Sequence, residues 1–493
     1  MNYTKLCLLV TGSLTFLFVT PAQAVNFVNT LSIPGETPDL YPIGNGAGGA
    51  NINRLGMFSD LYYDRAQNVY YGLSDRGPGG GVIPYQTRVE KFTLDVNPNT
   101  GALSNFNIEQ TILFTQNGQS FNGLNPQLLN GNPNTLGLSF DPEGFVVSRN
   151  GNFYVSDEYG PSVYEFNPNG SFIRALTIPG NILPRQADGT PNYMSAVTGR
   201  QDNRGFEGLA ISPDGSKLYG MLQDPLVNEG NPEGRYSRNL RLVEFDTQTG
   251  ESTRQFIYQL ESIADINAGF SNHKNDDFKA NAQGRNIGIS AIAALNDAEF
   301  LVLERDNRGF GVEAPTLPSN PPVGTKKVYK ISLADATDVS KVNLTGINDL
   351  PLGVNPVSKS LFLDIASSLK GAGPIIPEKL EGLTIGPQLA NGDYAVIVGS
   401  DNDFSVTQNS SNVQFNVCTN GTTADSKVAL SSPCPTGLNL IPGYLLSFKV
   451  TQSELGNFVP PEAVPEPLSI FGIGTALSFG TFFKRKLSQK AEQ

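Results

Sequence analysis

The sequence predicts an all-β fold, a β-propeller of five or six four-stranded blades with six favoured, and three observations carry that expectation. Glu-Gly recurs at the threshold of an apolar run, at Glu143-Gly144, Glu207-Gly208 and Glu381-Gly382. After each, a second apolar run ends in Asp, at Asp157, Asp224 and Asp401. Turn residues punctuate short β-branched and aromatic runs throughout, 52 Gly and 34 Pro among 493 residues, where long amphipathic helices would not tolerate them.

The unit around Glu143 sets the geometry. Residues 145–147 read as a short strand, 148–152 as its turn and 153–156 as the returning strand. In an antiparallel pair the start of one strand and the end of the next share an edge, so Glu143 should meet Asp157 and Glu158. Five such units align, beginning near Met57, Asp141, Phe206, Ile287 and Leu380. Each holds an apolar strand, a turn, an aromatic-rich strand ending in acid, and a third strand such as Val163-Tyr164-Glu165-Phe166. An outer strand follows, as at 173–178 and 253–258. Repeated four-stranded units are propeller blades. Residues 25–33 and 106–116 remain to complete a sixth blade or to close the ring; two packed β domains are the alternative. Polar insertions at 183–204, 225–239, 307–325 and 402–440 should rise from the acidic face.

Both ends read as addresses. Lys5, an apolar run from Leu6 to Val19 and Ala22-Gln23-Ala24 make residues 1–24 a secretory signal peptide. Residues 25–458 then form the propeller domain and 459–467 a linker with Pro465-Glu466-Pro467. Residues 468–493 supply a short apolar helix and the basic stop Lys484-Arg485-Lys486. That order resembles the PEP-CTERM sorting signal of bacterial envelope proteins. The resemblance implies an exported chain processed by signal peptidase and an exosortase, placed at the outer surface or released, with membrane contact only through the cleavable helix. A simple C-terminal anchor is the plainer alternative. Removing residues 1–24 and 466–493 takes five basic and two acidic side chains from the 34 and 46 of the whole chain, leaving 29 against 44, a formal −15. Such a charge argues against nucleic acid as a partner. Two cysteines remain, Cys418 and Cys434, and an exported chain with one such pair is expected to join them.

Histidine usage narrows the chemistry. The chain has one His, His273 in a polar loop, so catalysis or metal binding by two histidines is excluded by count. No Gly-x-Ser-x-Gly elbow supports a serine triad. Carboxylates, Asn, Lys, Arg and Tyr remain, the tools of a hard-cation site. The expected acidic face carries Asp60, Asp75, Glu143, Asp157, Glu158, Glu207, Asp224, Glu304, Asp306, Glu381, Asp401 and Asp403. Crowded carboxylates either hold protons or bind a cation. Asp75, Glu143, Asp157, Glu158, Glu207, Glu304, Glu381 and Asp401 are the expected metal ligands. Ca²⁺ fits them best; Mg²⁺ and Mn²⁺ fit less well. Arg76, Arg204, Arg305 and Lys379 stand beside them and are expected to bind substrate, with Glu143, Glu207, Glu381 and Asp157 as the catalytic carboxylates. Metal beside basic side chains suits a phosphate ester, with a metal-bound water as nucleophile. The plainer role for each acid is a turn or a cap on a neighbouring blade.

Ser74-Asp75-Arg76-Gly77, Asp141-Pro142-Glu143-Gly144, Ser156-Asp157-Glu158-Tyr159-Gly160, Gly205-Phe206-Glu207-Gly208-Leu209, Glu304-Arg305-Asp306 and Glu381-Gly382-Leu383 resemble the phytase-like, "esterase-like activity of phytase" family. The resemblance implies an exported propeller whose recurrent Asp and Glu carry phosphoesterase activity; a small ester or phosphate is the expected substrate and a monomer the expected state. The Asp-Asp-Pro signature of the calcium-dependent propeller phytases is absent; Asp141-Pro142-Glu143 comes nearest. A lactonase-like propeller and a non-catalytic surface propeller that binds matrix polysaccharide or protein are the competing functions.

Overall fold

The computed structural model describes residues 25–41, 53–127, 136–270, 275–313, 322–370, 375–421 and 425–461. The expected signal peptide, the sorting signal and His273 lie outside them. Among the described residues no helix is long and apolar enough to cross a membrane.

Five four-stranded antiparallel sheets follow one another along the chain. The first blade takes Asp60–Asp64, Val69–Leu73, Arg88–Val96 and Leu103–Leu113, from the inside outwards. The second takes Pro142–Val147, Phe153–Asp157, Ser162–Phe166 and Phe172–Ala175, and the third begins at Phe206–Ile211 and ends at Ser252–Gln259. The fourth runs from Ile287–Ala294 out to Ser358–Asp364. Lys379–Gln388, Tyr394–Asp401 and Gly443–Val450 build the fifth, and Asn26–Ile33 adds its outer strand by pairing Ile33 with Gly443. Each inner strand packs on the next, and Lys379–Gln388 packs on Asp60–Asp64, so the ring is closed.

The five units legible in the sequence are thus the five blades, and the favoured count of six is not met among the described residues. The strands reserved for a sixth blade are already in use. Asn26–Ile33 closes the fifth sheet, and Leu103–Leu113 is the outer strand of the first, held there by its long pairing with Arg88–Val96.

Alternation builds the core. In Arg88–Val96, for instance, Val89 is buried toward the second blade's aromatic layer, while Phe92 and Leu94 face the layer shared with Ile33, Ile397 and Leu445 of the fifth blade. Successive apolar layers lie between blades, from Tyr71, Phe145 and Phe153 through Leu209 and Val243 to Leu303 and Val398. All five inner strands start at one end of the axis. Their later residues, including Tyr63, Phe145, Leu209, Ile292 and Leu383, line an apolar cavity stoppered by Phe458 and Val459. That stopper is fixed. The Val459 amide donates to the Leu295 carbonyl at 2.8 Å, the Phe458 ring meets Tyr394 edge-on at 5.3 Å, and the Arg65 guanidinium lies 5.2 Å over it.

The insertion after the fifth blade's second strand folds into its own small sheet of Val406–Gln408, Gln414–Thr419 and Asp425–Ala429. Cys418 and Cys434 are joined there, as the pair of exported cysteines led one to expect.

Candidate functional site: an acidic cavity at the mouth of the propeller

The repeated Glu-Gly is a β-bulge. Pairing between the first two strands of the second blade skips from Pro142 to Gly144, in the third from Phe206 to Gly208, and in the fifth from Leu380 to Gly382. The skipped residues are Glu143, Glu207 and Glu381, and a bulge turns its extra side chain out of the ladder. The fourth blade skips from Ile289 to Ala291, which puts Ser290 in the equivalent place. Glycine follows because the next inner strand comes too close for a side chain. A Cβ on Gly144 would lie 2.7 Å from the Leu209 amide nitrogen, and one on Gly382 would lie 2.8 Å from Leu61 Cβ.

These thresholds open into a cavity of about 190 Å³ that Asp75, Glu143, Glu158, Glu207, Glu378 and Glu381 line with carboxylates. One oxygen from each of Glu143, Glu158 and Glu207 lies within 4.8 Å of the other two. Asp75, Asp141 and Glu143 form a second such trio, and Asp75, Asp401 and Asp403 a third. Burial pushes the Glu143 carboxyl well above its ordinary range, and the charges of Glu207, Asp141, Glu158 and Glu381 push it further. Glu207 is raised in the same way, by burial and then by Glu158 and Glu381. Asp75 is raised by burial and by Asp401. Burial lifts Asp141 to about 6 against the pull of Arg76. It lifts Glu158 against Arg204 and Arg76. Without a cation, then, the cluster holds protons.

The expected basic residues interleave with these acids. Arg76 lies 3.3 Å from Asp141 and donates to Asn203, whose amide donates to Glu158 at 2.7 Å. Arg204 stands 3.6 Å from Glu158. Arg305 donates to Ser290 at 2.8 Å and to Glu381, so the fourth blade answers its missing Glu with a guanidinium from its second strand. Lys379 bridges Asp401 at 3.2 Å and Asp403 at 2.6 Å. Burial works against the Lys379 charge, but those two carboxylates outweigh it and hold the ammonium well above its ordinary range.

Two of the expected ligands lie elsewhere. Asp157 accepts from the Asp141 amide at 2.7 Å, the Gly160 amide at 2.7 Å and the Ser162 hydroxyl at 2.9 Å, so both its oxygens secure the turn below the cavity. Glu304 points away from the axis, accepting from Tyr258 at 2.7 Å, the Glu261 amide at 2.6 Å and Lys359 at 2.6 Å. Three other members of the expected face are also structural in their contacts. Asp60 takes the Phe145 amide of the next blade at 2.8 Å, Asp306 takes the Thr325 amide at 2.9 Å, and Asp224 pairs with Arg235 at 3.0 Å. The structure in turn adds Asp141, Asn203, Glu378 and Arg285. Asp141 had a signal, the Asp-Pro-Glu run; Glu378 sits one residue before Lys379; Asn203 and Arg285 carry no pattern.

The donor set fits a hard cation. Oxygens about 2.4 Å from one Ca²⁺ stand no more than about 4.8 Å apart, which the trios satisfy. Glu207 Oε2 is buried and accepts no hydrogen bond, whereas Glu158 Oε1, which accepts none either, has the Arg204 guanidinium 3.6 Å away. A buried oxygen without a partner is costly unless something positive meets it.

Comparison with known proteins gives one relative and several distant folds. The chain is 28% identical over 418 residues to an uncharacterized secreted protein of Arthroderma benhamiae, covering 69% of this chain and 79% of that one. Among solved structures it is similar to the Dos1 propeller (10% identity, TM-score 0.27, covering 86% of this chain and 85% of that one). It is also similar to a luciferin-regenerating enzyme (12% identity, TM-score 0.28, covering 80% and 92%). Residues 53–404 match the family model described as Phytase-like: Esterase-like activity of phytase, a span that holds five blade thresholds and every carboxylate of the cavity, and the chain belongs to that family.

Proposed function

We propose that the protein is an exported, Ca²⁺-dependent esterase or phosphoesterase acting on a small phosphate ester or related ester. One observation carries this. In a single cavity, the trio of Glu143, Glu158 and Glu207, with a buried Glu207 oxygen that accepts no hydrogen bond, stands beside the basic groups of Arg76, Arg204, Arg305 and Lys379. Export is supported by the joined Cys418 and Cys434 and by the secreted relative. Placement at a bacterial outer surface, after cuts by signal peptidase and an exosortase, rests on the two terminal signals.

Glu143, Glu158 and Glu207 would hold the cation, with Asp75 and Asp141 adjoining. The bound ion would supply a Lewis acid for the ester oxygen and acidify a water. Arg76 and Arg305 are fixed by Asp141 and Glu381, so they present rigid donors to the charge that develops on the reacting group. Asn203 links Arg76 to Glu158 and keeps the basic and acidic halves in register. Glu381 faces Ser290 at the fourth blade's bulge where another Glu would stand, and Arg305 orients it as the carboxylate to accept a proton from an attacking water.

The test is to strip divalent ions from the purified protein and measure thermal stability and hydrolysis of phosphate monoester, diester, carboxylic ester and lactone panels, with and without Ca²⁺. Stabilisation together with phosphate or carboxylic ester turnover is the expected result. Lactone turnover alone would favour the lactonase-like alternative. Stabilisation without turnover would favour a binding propeller, and no stabilisation would remove the cation.

A further inference from the structure

The four basic residues discussed so far are already committed. Arg76 faces Asp141, Arg204 faces Glu158, Arg305 faces Glu381, and Lys379 faces Asp401 and Asp403. An incoming anion would have to share each of them with a carboxylate that is already there. Arg285 is different. It lines the same cavity, is exposed, and its side chain makes no ion pair or hydrogen bond among the described residues.

Its backbone is nevertheless fixed. The Asn286 and Ile287 amides both donate to the Ala282 carbonyl, at 2.9 and 3.0 Å, the Gly284 amide donates to the Ile287 carbonyl, and the Asn307 amide donates to Asn286 at 3.0 Å. Gly284 has φ +74°, and a Cβ there would lie 1.8 Å from Asp224 Oδ1, so the loop rests directly on Asp224 and only glycine fits. The result is a guanidinium free to move on a backbone that is not. The fixed backbone leaves only the side chain's own rotamers to be ordered around a ligand.

Charge explains why a spare cation matters. Six carboxylates and five basic side chains line the cavity, a formal −1 when all are ionised. A neutral ester meets no barrier there. A divalent cation that displaces the protons of the cluster leaves a balance of +1, which attracts a phosphate monoester. Anion and cation should then strengthen each other's binding, as linkage requires.

We propose that Arg285 is the anion anchor at the mouth of this cavity and makes the site select phosphate monoesters over neutral esters. This rests on the phosphoesterase reading above. The planar guanidinium can take two phosphate oxygens at once, which Lys cannot.

The experiment compares wild type, Arg285→Ala and Arg285→Lys, each with Ca²⁺. The first readout is the thermal shift caused by sub-millimolar inorganic phosphate. The second is KM and kcat on an aryl phosphate and on the matching aryl acetate. We expect Arg285→Ala to lose the phosphate-induced shift and to raise KM for the aryl phosphate about tenfold or more, with kcat much less affected. The phosphate-to-acetate ratio of kcat/KM should fall with it, and Arg285→Lys should lie between. A phosphate shift and KM indistinguishable from wild type in Arg285→Ala would overturn the proposal, as would a Ca²⁺-loaded wild type that binds no phosphate. If wild type hydrolyses neither ester, the enzymatic reading fails while the phosphate shift still judges Arg285. An unchanged melting temperature without Ca²⁺ and phosphate shows that the variant folds.

Discussion

Replacing Glu207 by Gln should change the sign of its effect on stability according to whether a cation is present. Glu207 shares a 4.8 Å sphere with Glu143 and Glu158. At that separation, with an effective dielectric constant of about 20, two ionised carboxylates repel by about 3 kcal/mol. Protonation limits what is actually paid, because burial and mutual repulsion hold Glu143 and Glu207 well above the ordinary carboxyl range. A relief of about 1–3 kcal/mol is therefore expected when the charge is deleted in EDTA. With Ca²⁺ the same deletion removes one of three charges that meet the ion. A thousandfold weaker affinity takes away about 4.1 kcal/mol of binding stabilisation at fixed excess Ca²⁺, a net loss of about 1–3 kcal/mol once the relief is counted. The assay is urea unfolding of wild type and variant at pH 7.5, in EDTA and in CaCl₂. Glu304→Gln is the control: its carboxylate meets Tyr258 and Lys359 away from the cavity, so it should lose stability equally in both buffers. Equal destabilisation of Glu207→Gln in both buffers would refute the reasoning.

Three further outcomes are expected. In EDTA, stability should fall as pH rises from about 4 to 7, because buried Asp141, Asp224 and Glu378, raised to about 6, 7 and 7, keep protons that the unfolded chain has already released. Urea midpoints that climb over that window would contradict this, and Ca²⁺ should flatten the decline. Gly144→Ala should cost roughly 2 kcal/mol or more, since its Cβ would lie 2.4 Å from Ser156 Oγ and 2.7 Å from the Leu209 amide nitrogen; thermal melts check it. Phe458→Ala should cost about 2 kcal/mol by uncovering the apolar end of the axis, with no change in Ca²⁺ affinity measured by calorimetry.

Much of this site is legible from spacing, and the misplacements share one cause. Glu-Gly marks a bulge and the later acid marks a strand end, so Glu143, Glu207, Glu381 and Asp401 fall near one another without any knowledge of the fold. Asp157 and Glu158 cannot both face the cavity, however, because neighbouring residues at a strand end point to opposite sides. Asp157 turns into the backbone below and Glu158 turns to the axis. The same parity separates Glu304, which meets Tyr258, from Arg305, which meets Glu381. The blade count was harder for a different reason. Residues 26–33 look like any free strand, and their partner at 443–450 lies at the far end of the chain, where no local pattern points to it. Arg285 is invisible for a third reason: its importance lies in what its neighbours have already bound.

The pairing of Asn26–Ile33 with Gly443–Val450 also fixes an order of events in the life of the chain. Among the described strands the most N-terminal cannot find its place until its partner, more than four hundred residues later, has been made. Four blades can assemble while that strand waits in solution, its edge uncommitted. Only when the fifth sheet takes it in does the ring become a hoop, with the first inner strand pressed against the last. In a ring built this way the fifth sheet comes last, and it brings Glu381, Asp401 and Asp403 to carboxylates that the second and third blades have already gathered.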